Sequence, residues 1–139
     1  MNKSNSKKLS YRSLYNAYAF IFIPFVMLCL IKVFNGKYED IIMSTDWSVA
    51  SFIIFAQSLG TMPSAFVKSG RGVDGDALTS YVIKVIVLGL IPSLYLYFKM
   101  NTDPNYWAGW GQVVMFFYAS LRFFIDGRTA QKLAVRDDV

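Results

Sequence analysis

A chain of 139 residues has room for one domain. Its residues are 55 % hydrophobic and only 17 % charged, with a net charge of +5 and no histidine. Soluble domains run at about 45–50 % apolar and about 25 % charged, so this balance argues against a soluble globule and a disordered chain, while the missing histidine excludes Ser-His-Asp and Cys-His catalysis and the usual zinc sites.

What remains is a small, non-enzymatic integral membrane protein with no cofactor. In a soluble chain a basic excess would suggest nucleic acid. Here the charges fall between apolar runs, so they read as topology signals and lipid-headgroup contacts.

Residues 1–13 form a basic arm carrying Lys3, Lys7, Lys8 and Arg12. A bilayer core about 30 Å thick needs about 20 helical residues, and the first run that qualifies is about 14–34. Its basic flank resembles that of a signal peptide, but the segment reads as a mature membrane helix. No small-x-small site follows it, and Leu28 before Cys29 does not fit a lipoprotein signal. Cys29 is the single cysteine, so no intramolecular disulfide forms, and it reads as a small packing residue.

Ser44, Thr45 and Asp46 make a plausible N-cap cluster for a second span, about 47–67. At about 100° per residue, Ser51, Gln57, Ser58, Thr61, Ser64 and Lys68 share one face of it. Bare hydroxyls and amides are costly in hydrocarbon, so this face looks at other helices or at water. Two readings stay open: helix-packing glue or the lining of a polar pathway. Pro24, Pro63 and Pro92 each free a carbonyl four residues earlier, and Gly60, Thr61 and Pro63 mark the inner half of the second span as the expected irregular point.

Residues 68–77, Gly-rich and carrying Arg71, lack the spacing of a phosphate loop or a calcium loop and read as a hairpin. The third span is about 78–98. Asp103-Pro104-Asn105 is a turn before the fourth, about 106–125, whose Trp107-Ala108-Gly109-Trp110-Gly111-Gln112 start allows close helix approach and a polar contact. Arg122 and Asp126 are spaced to pair, and Gly127 fits a helix C′ position before a tail at 126–139. Trp47, Tyr106, Trp107 and Trp110 fall at one predicted boundary, and Tyr11, Tyr15 and Tyr81 at the other, as two aromatic belts.

The arm, the 68–77 loop and the tail, with Lys84 and Arg122 snorkelling toward them, gather eleven of the fourteen basic residues on one side. That side is expected to be cytoplasmic. The fold class is thus an all-α bundle of four transmembrane helices, 14–125, with both termini cytoplasmic, in a membrane expected to be the bacterial inner one.

The four-span outline resembles small bacterial multidrug exporters, but Asn16 and Phe20 occupy the region of their first-span Glu. The Gly- and Asn-rich motifs of small fluoride channels are absent. In architecture alone the chain is similar to effector or sensor subunits of bacterial antiviral systems. The expected function is a homo-oligomeric pore-forming or permeability-altering subunit. The alternative is a membrane anchor or sensor that recruits a cytoplasmic partner through Lys3, Lys7, Lys8, Arg12, Arg71, Arg128, Lys132 and Arg136, residues that equally suit lipid headgroups.

Overall fold

The computed structural model describes residues 3–68 and 74–135, without the side chains of residues 3–11, 13, 66, 68 and 133–135. Every regular element among the described residues is helical: α1 (Lys3–Phe34), α2 (Glu39–Ile42), α3 (Asp46–Lys68), α4 (Gly75–Val85), a π-helical turn (Ile86–Leu90), α5 (Ile91–Thr102) and α6 (Tyr106–Val135). The α4, π and α5 segments run on as one rod.

Three helical stretches, Leu14–Phe34, Gly75–Thr102 and Tyr106–Lys132, are long and apolar enough to cross a membrane, which is consistent with a membrane protein. The remaining long helix, α3, has a similar length but carries Gln57, Pro63 and a row of hydroxyls.

The packing centres on α3 and α6, which run parallel. Ser48 meets Gln112 near one end, and Met62 and Ala65 meet Ala130 near the other. Small buried residues on both helices, Ala50, Ser51, Ser58 and Ala65 on α3 and Ala108, Ala119, Ser120 and Ala130 on α6, let the backbones approach. The helix α1 lies antiparallel on one flank, with Tyr18 hydrogen-bonded to Ser120 and Phe25 stacked on Phe116. The α4–α5 rod lies antiparallel on another, with Gly89 against Phe55 and Tyr81 against Asp126. The core is Leu14, Phe25, Ala50, Ile54, Phe55, Val85, Phe116, Ala119 and Phe123. With the start of α1 near the far end of α6, Leu14 touches Gly127.

The helix ends have local causes. Asp74 caps α4, its carboxylate accepting from the Asp76 and Ala77 amides. Asn105 caps α6 by accepting from Ala108 N at 2.7 Å. Ser44 Oγ accepts from the Asp46 amide at the start of α3.

Three sequence readings need correction. Gly127 does not end its helix: α6 continues to Val135, and Gly127 is there because a β-carbon would collide with the Leu14 side chain. The irregular point is not in α3, which is unbroken through Pro63. It is the π turn just before Pro92, where the proline cannot donate to the carbonyl of Leu88. Trp47 is not a belt residue: its ring packs edge-on against Phe25 and Phe116, and its Nε1 donates to Ile41 O at 2.6 Å. Tyr106, Trp107 and Trp110 do stay exposed.

Candidate functional site

The polar residues of α3 do not form one continuous face in the folded chain. Ser51 and Ser58 are buried, whereas Thr61 and Ser64 are exposed and Gln57 is half-buried. Ser51 and Ser58 sit at one edge of the predicted arc and turn into the packing. Gln57, Thr61 and Ser64 sit at the other edge and turn out. The side chains of Lys68, Lys3, Lys7 and Lys8 lie outside the described residues, as do Arg71 and Arg136 altogether.

Each hydroxyl of this set is satisfied within its own helix. Ser51 donates to Trp47 O at 2.7 Å, Ser58 to Ile54 O at 3.2 Å, Thr61 to Gln57 O at 2.9 Å and Ser64 to Gly60 O at 2.7 Å. Such bonds let a hydroxyl sit in an apolar setting without an outside partner. The space between Ser58 and Thr61 of α3, Leu14 of α1 and Phe123, Asp126 and Gly127 of α6 is only about 10 Å³, room for about one water. A transmembrane path for ions does not pass there within one chain.

Outside that packing, Gln57, Thr61 and Ser64 flank Ala56 and Gly60, both exposed. Ala56, Gly60 and Ser64 recur every four residues, the spacing that lets two membrane helices approach closely. A β-carbon on Gly60 would meet nothing within 4 Å, so this ridge is open in the single chain.

Two polar clamps close the ends. At the α2 end, Gln112 is fully buried. Its Oε1 accepts from Ser48 Oγ at 2.7 Å, and its Nε2 donates to Ser44 O at 2.8 Å and Ile42 O at 3.2 Å. One amide thus ties α6 to α3 and to the connector before it. Gly109, one turn earlier on α6, admits that connector: a β-carbon there would lie 3.1 Å from Ile42 O. Beside it, Lys32 Nζ donates to Asp40 O at 3.3 Å and pairs with Asp46 at 3.5 Å, and Ser44 Oγ donates to the same Asp46 carboxylate. An open polar cleft of about 420 Å³ is lined there by Lys32, Asp40, Met43, Ser44, Thr45 and Asp46.

At the other end the buried Asp126 accepts from Tyr81 Oη at 2.9 Å and pairs with Arg122 at 3.4 Å. The Arg122–Asp126 pair follows from the sequence spacing. Tyr81 of α4 adds a second helix to it, and nothing local in the sequence signals that contact. Arg12, Lys84, Arg128 and Lys132 are exposed, and the chain path places them toward this end. Ser48 and Tyr81 are among the polar contacts that sequence reasoning missed, with Tyr18–Ser120 and Lys32–Asp46. Ser48 lies only three residues from Ser51, and its pairing with Gln112 requires knowing how α3 is rotated.

Among the described residues no three His, Cys, Asp or Glu side chains are grouped to hold a metal. The arrangement holds helices together and leaves one polar, small-residue ridge outward. No protein-family model, curated protein or solved structure matches the chain.

Proposed function

We propose that this chain is a homo-oligomeric pore-forming or permeability-altering subunit, crossing the membrane four times with both termini in the cytoplasm of a bacterium. The observation that carries the reading is the outward Gln57–Thr61–Ser64 ridge on an otherwise apolar helix. A polar amide facing acyl chains is costly. Copies that meet through the Ala56–Gly60–Ser64 stripe bring these groups together around a shared axis. Because the space beside Ser58 and Thr61 within one chain is too small for a path, the path forms between copies, with Gln57, Thr61 and Ser64 along it and Lys68 at its mouth. Ser51 and Ser58 then serve as packing glue.

Ion flux through liposomes containing purified protein tests this, together with disulfide cross-linking of a Ser64→Cys variant in membranes. Flux that falls in Gln57→Leu, with a cross-linked ladder from Ser64→Cys, is the expected result. Silent liposomes and an uncross-linked chain overturn it.

A second reading has its own observation. The helix α6 runs past the predicted span to Val135 with Arg128 and Lys132 exposed, and α1 begins at Lys3. Helical, basic extensions of this kind suit recruitment of an acidic cytoplasmic partner. A soluble protein that copurifies with the full chain, and is lost when residues 126–139 are removed, favours this alternative.

A further inference from the structure

The α4–α5 rod carries one cation inside its apolar stretch. Lys84 is exposed, stands among Val82, Ile83, Val85 and Ile86, and makes no ion pair among the described residues. An ammonium held among apolar residues at bilayer depth is costly and calls for an anionic partner. No described carboxylate supplies one. Asp76, eight residues earlier on the same helix, stands about 12 Å away along the axis. Asp126 is already shared by Tyr81 and Arg122.

The fold brings a second cation to the same level. The rod and α6 run antiparallel, and Tyr81 Oη donates to Asp126 at 2.9 Å across the seam between them. Lys84 lies three residues past Tyr81, within about 60° of it around the helix axis. Arg122 lies one turn before Asp126 and pairs with it at 3.4 Å. Because the helices are antiparallel, both steps run in the same direction along the seam. Lys84 and Arg122 therefore stand at one depth, on either side of it. One turn deeper, Val87 and Leu88 on the rod and Tyr118 on α6 are exposed, so the cations sit at the head of an apolar surface.

The charge at this depth selects the ligand. Lys84 and Arg122 bring two positive charges and Asp126 one negative, so the seam keeps one positive charge over. A phosphodiester carries one negative charge and accepts hydrogen bonds from both an ammonium and a guanidinium. Basic groups between membrane helices are a recurring form of lipid-headgroup site. We propose that the seam between α4 and α6 binds an anionic phospholipid, its phosphodiester held between Lys84 and Arg122 and its acyl chains laid over Val87, Leu88 and Tyr118. A zwitterionic lipid brings its own ammonium and leaves the excess charge in place. The site rests on the rod and α6 lying in a bilayer, which is part of the function proposed above, and not on conduction.

The test uses full-length protein in mild detergent, incubated with phosphatidylglycerol or phosphatidylcholine of identical chains, with the lipid retained per chain counted by intact-complex mass spectrometry. Wild type retains one phosphatidylglycerol about five-fold more than phosphatidylcholine, the scale of one basic residue against an anionic lipid. Lys84→Gln retains the two alike, and Lys84→Arg keeps the preference. Lys84 is exposed and unpaired, so its replacement leaves the thermal midpoint unchanged and the loss is not an unfolding effect. Lys132→Gln, which removes an equal charge outside the seam, keeps the preference. Wild type that does not discriminate, or a loss in Lys132→Gln as large as in Lys84→Gln, overturns the site. Excess inorganic phosphate leaves the lipid bound; displacement by it shows a bare anion site and overturns the lipid assignment. Ion flux in liposomes separates this site from the pore. Silent liposomes of a protein that retains the lipid remove the pore and leave the site, and flux without lipid preference removes the site and leaves the pore.

Discussion

Ser48 Oγ donates to Gln112 Oε1 over 2.7 Å, joining two helices at residues 64 positions apart. The same amide holds the carbonyls of Ile42 and Ser44. Gln112→Leu keeps the bulk and strands three polar groups, each of which costs about 1–3 kcal/mol if left buried and unpaired. Relaxation of the connector toward solvent recovers part of this, so a net loss of about 2–4 kcal/mol is expected. Denaturation in detergent micelles measures it, and limited proteolysis should show new cuts at residues 38–46. An unchanged midpoint and an unchanged digest would show that the clamp carries no stability.

Gly89 is the second site with a sharp expectation. A β-carbon there would lie 2.5 Å from Phe55 Cδ1 and 2.6 Å from Cγ. The ring is buried in the core and cannot swing away freely. Gly89→Ala should therefore cost about 1–3 kcal/mol as an overpacking change, although alanine is the better helix former. Phe55→Leu in the same chain relieves the clash, so the double variant is more stable than the two single effects sum to. Strict additivity would mean that the two helices do not touch as described.

The Tyr81–Asp126 bond predicts an ordering among variants. Tyr81→Phe removes one hydrogen bond of 2.9 Å and should cost about 1.5–3 kcal/mol, as for a bond to a charged group. Asp126→Ala removes that bond and the partner of Arg122 as well, and leaves a void under Tyr81. It should be clearly worse than Tyr81→Phe. Arg122→Gln should be the mildest, because Arg122 is partly exposed and exposed pairs contribute about 0–1 kcal/mol. Equal midpoints for all three would remove the case for a clamp at this end.

On the outward ridge, stability and transport should separate. Gln57 is half-buried and its side-chain amide makes no hydrogen bond among the described residues, so Gln57→Leu should leave the midpoint within about 0.5 kcal/mol of wild type. Ion flux in liposomes should nevertheless fall by about ten-fold or more, equivalent to at least about 1.4 kcal/mol. Flux that persists unchanged in Gln57→Leu removes Gln57 from the path.

Much of the fold is legible in the sequence, for a physical reason. Runs of about 20 apolar residues bounded by Asp74, Asn105 and the Ser44–Asp46 cluster can only be long helices, and those bounds hold to within a few residues at α3, α4 and the start of α6. What is not legible is rotation. Ser51 and Ser58 lie within about 140° of Gln57, Thr61 and Ser64 on a helical projection, and only the position of α6 decides which of them are covered. Nor does composition reveal the π turn, since Ile86–Leu90 is an unremarkable apolar stretch and Pro63, a proline of the same kind as Pro92, leaves its helix intact. Gly127 shows the converse. After Asp126 it reads as a stop, but its glycine is needed for space and not for backbone conformation, and it has no positive φ.

The attachment of α1 has a consequence for assembly. In its most apolar stretch only 6 % of residues are buried, against 44 % in that of α6. The contacts it does make reach far along the chain, as Tyr18 bonds Ser120 across 102 residues. During synthesis Phe25 can meet Trp47 as soon as α3 is made, but Tyr18 must wait for Ser120 and Phe123 until α6 emerges. The ribosome delivers the first helix before its seat is complete, which makes the final docking of α1 a late event and a step open to capture by a neighbouring chain.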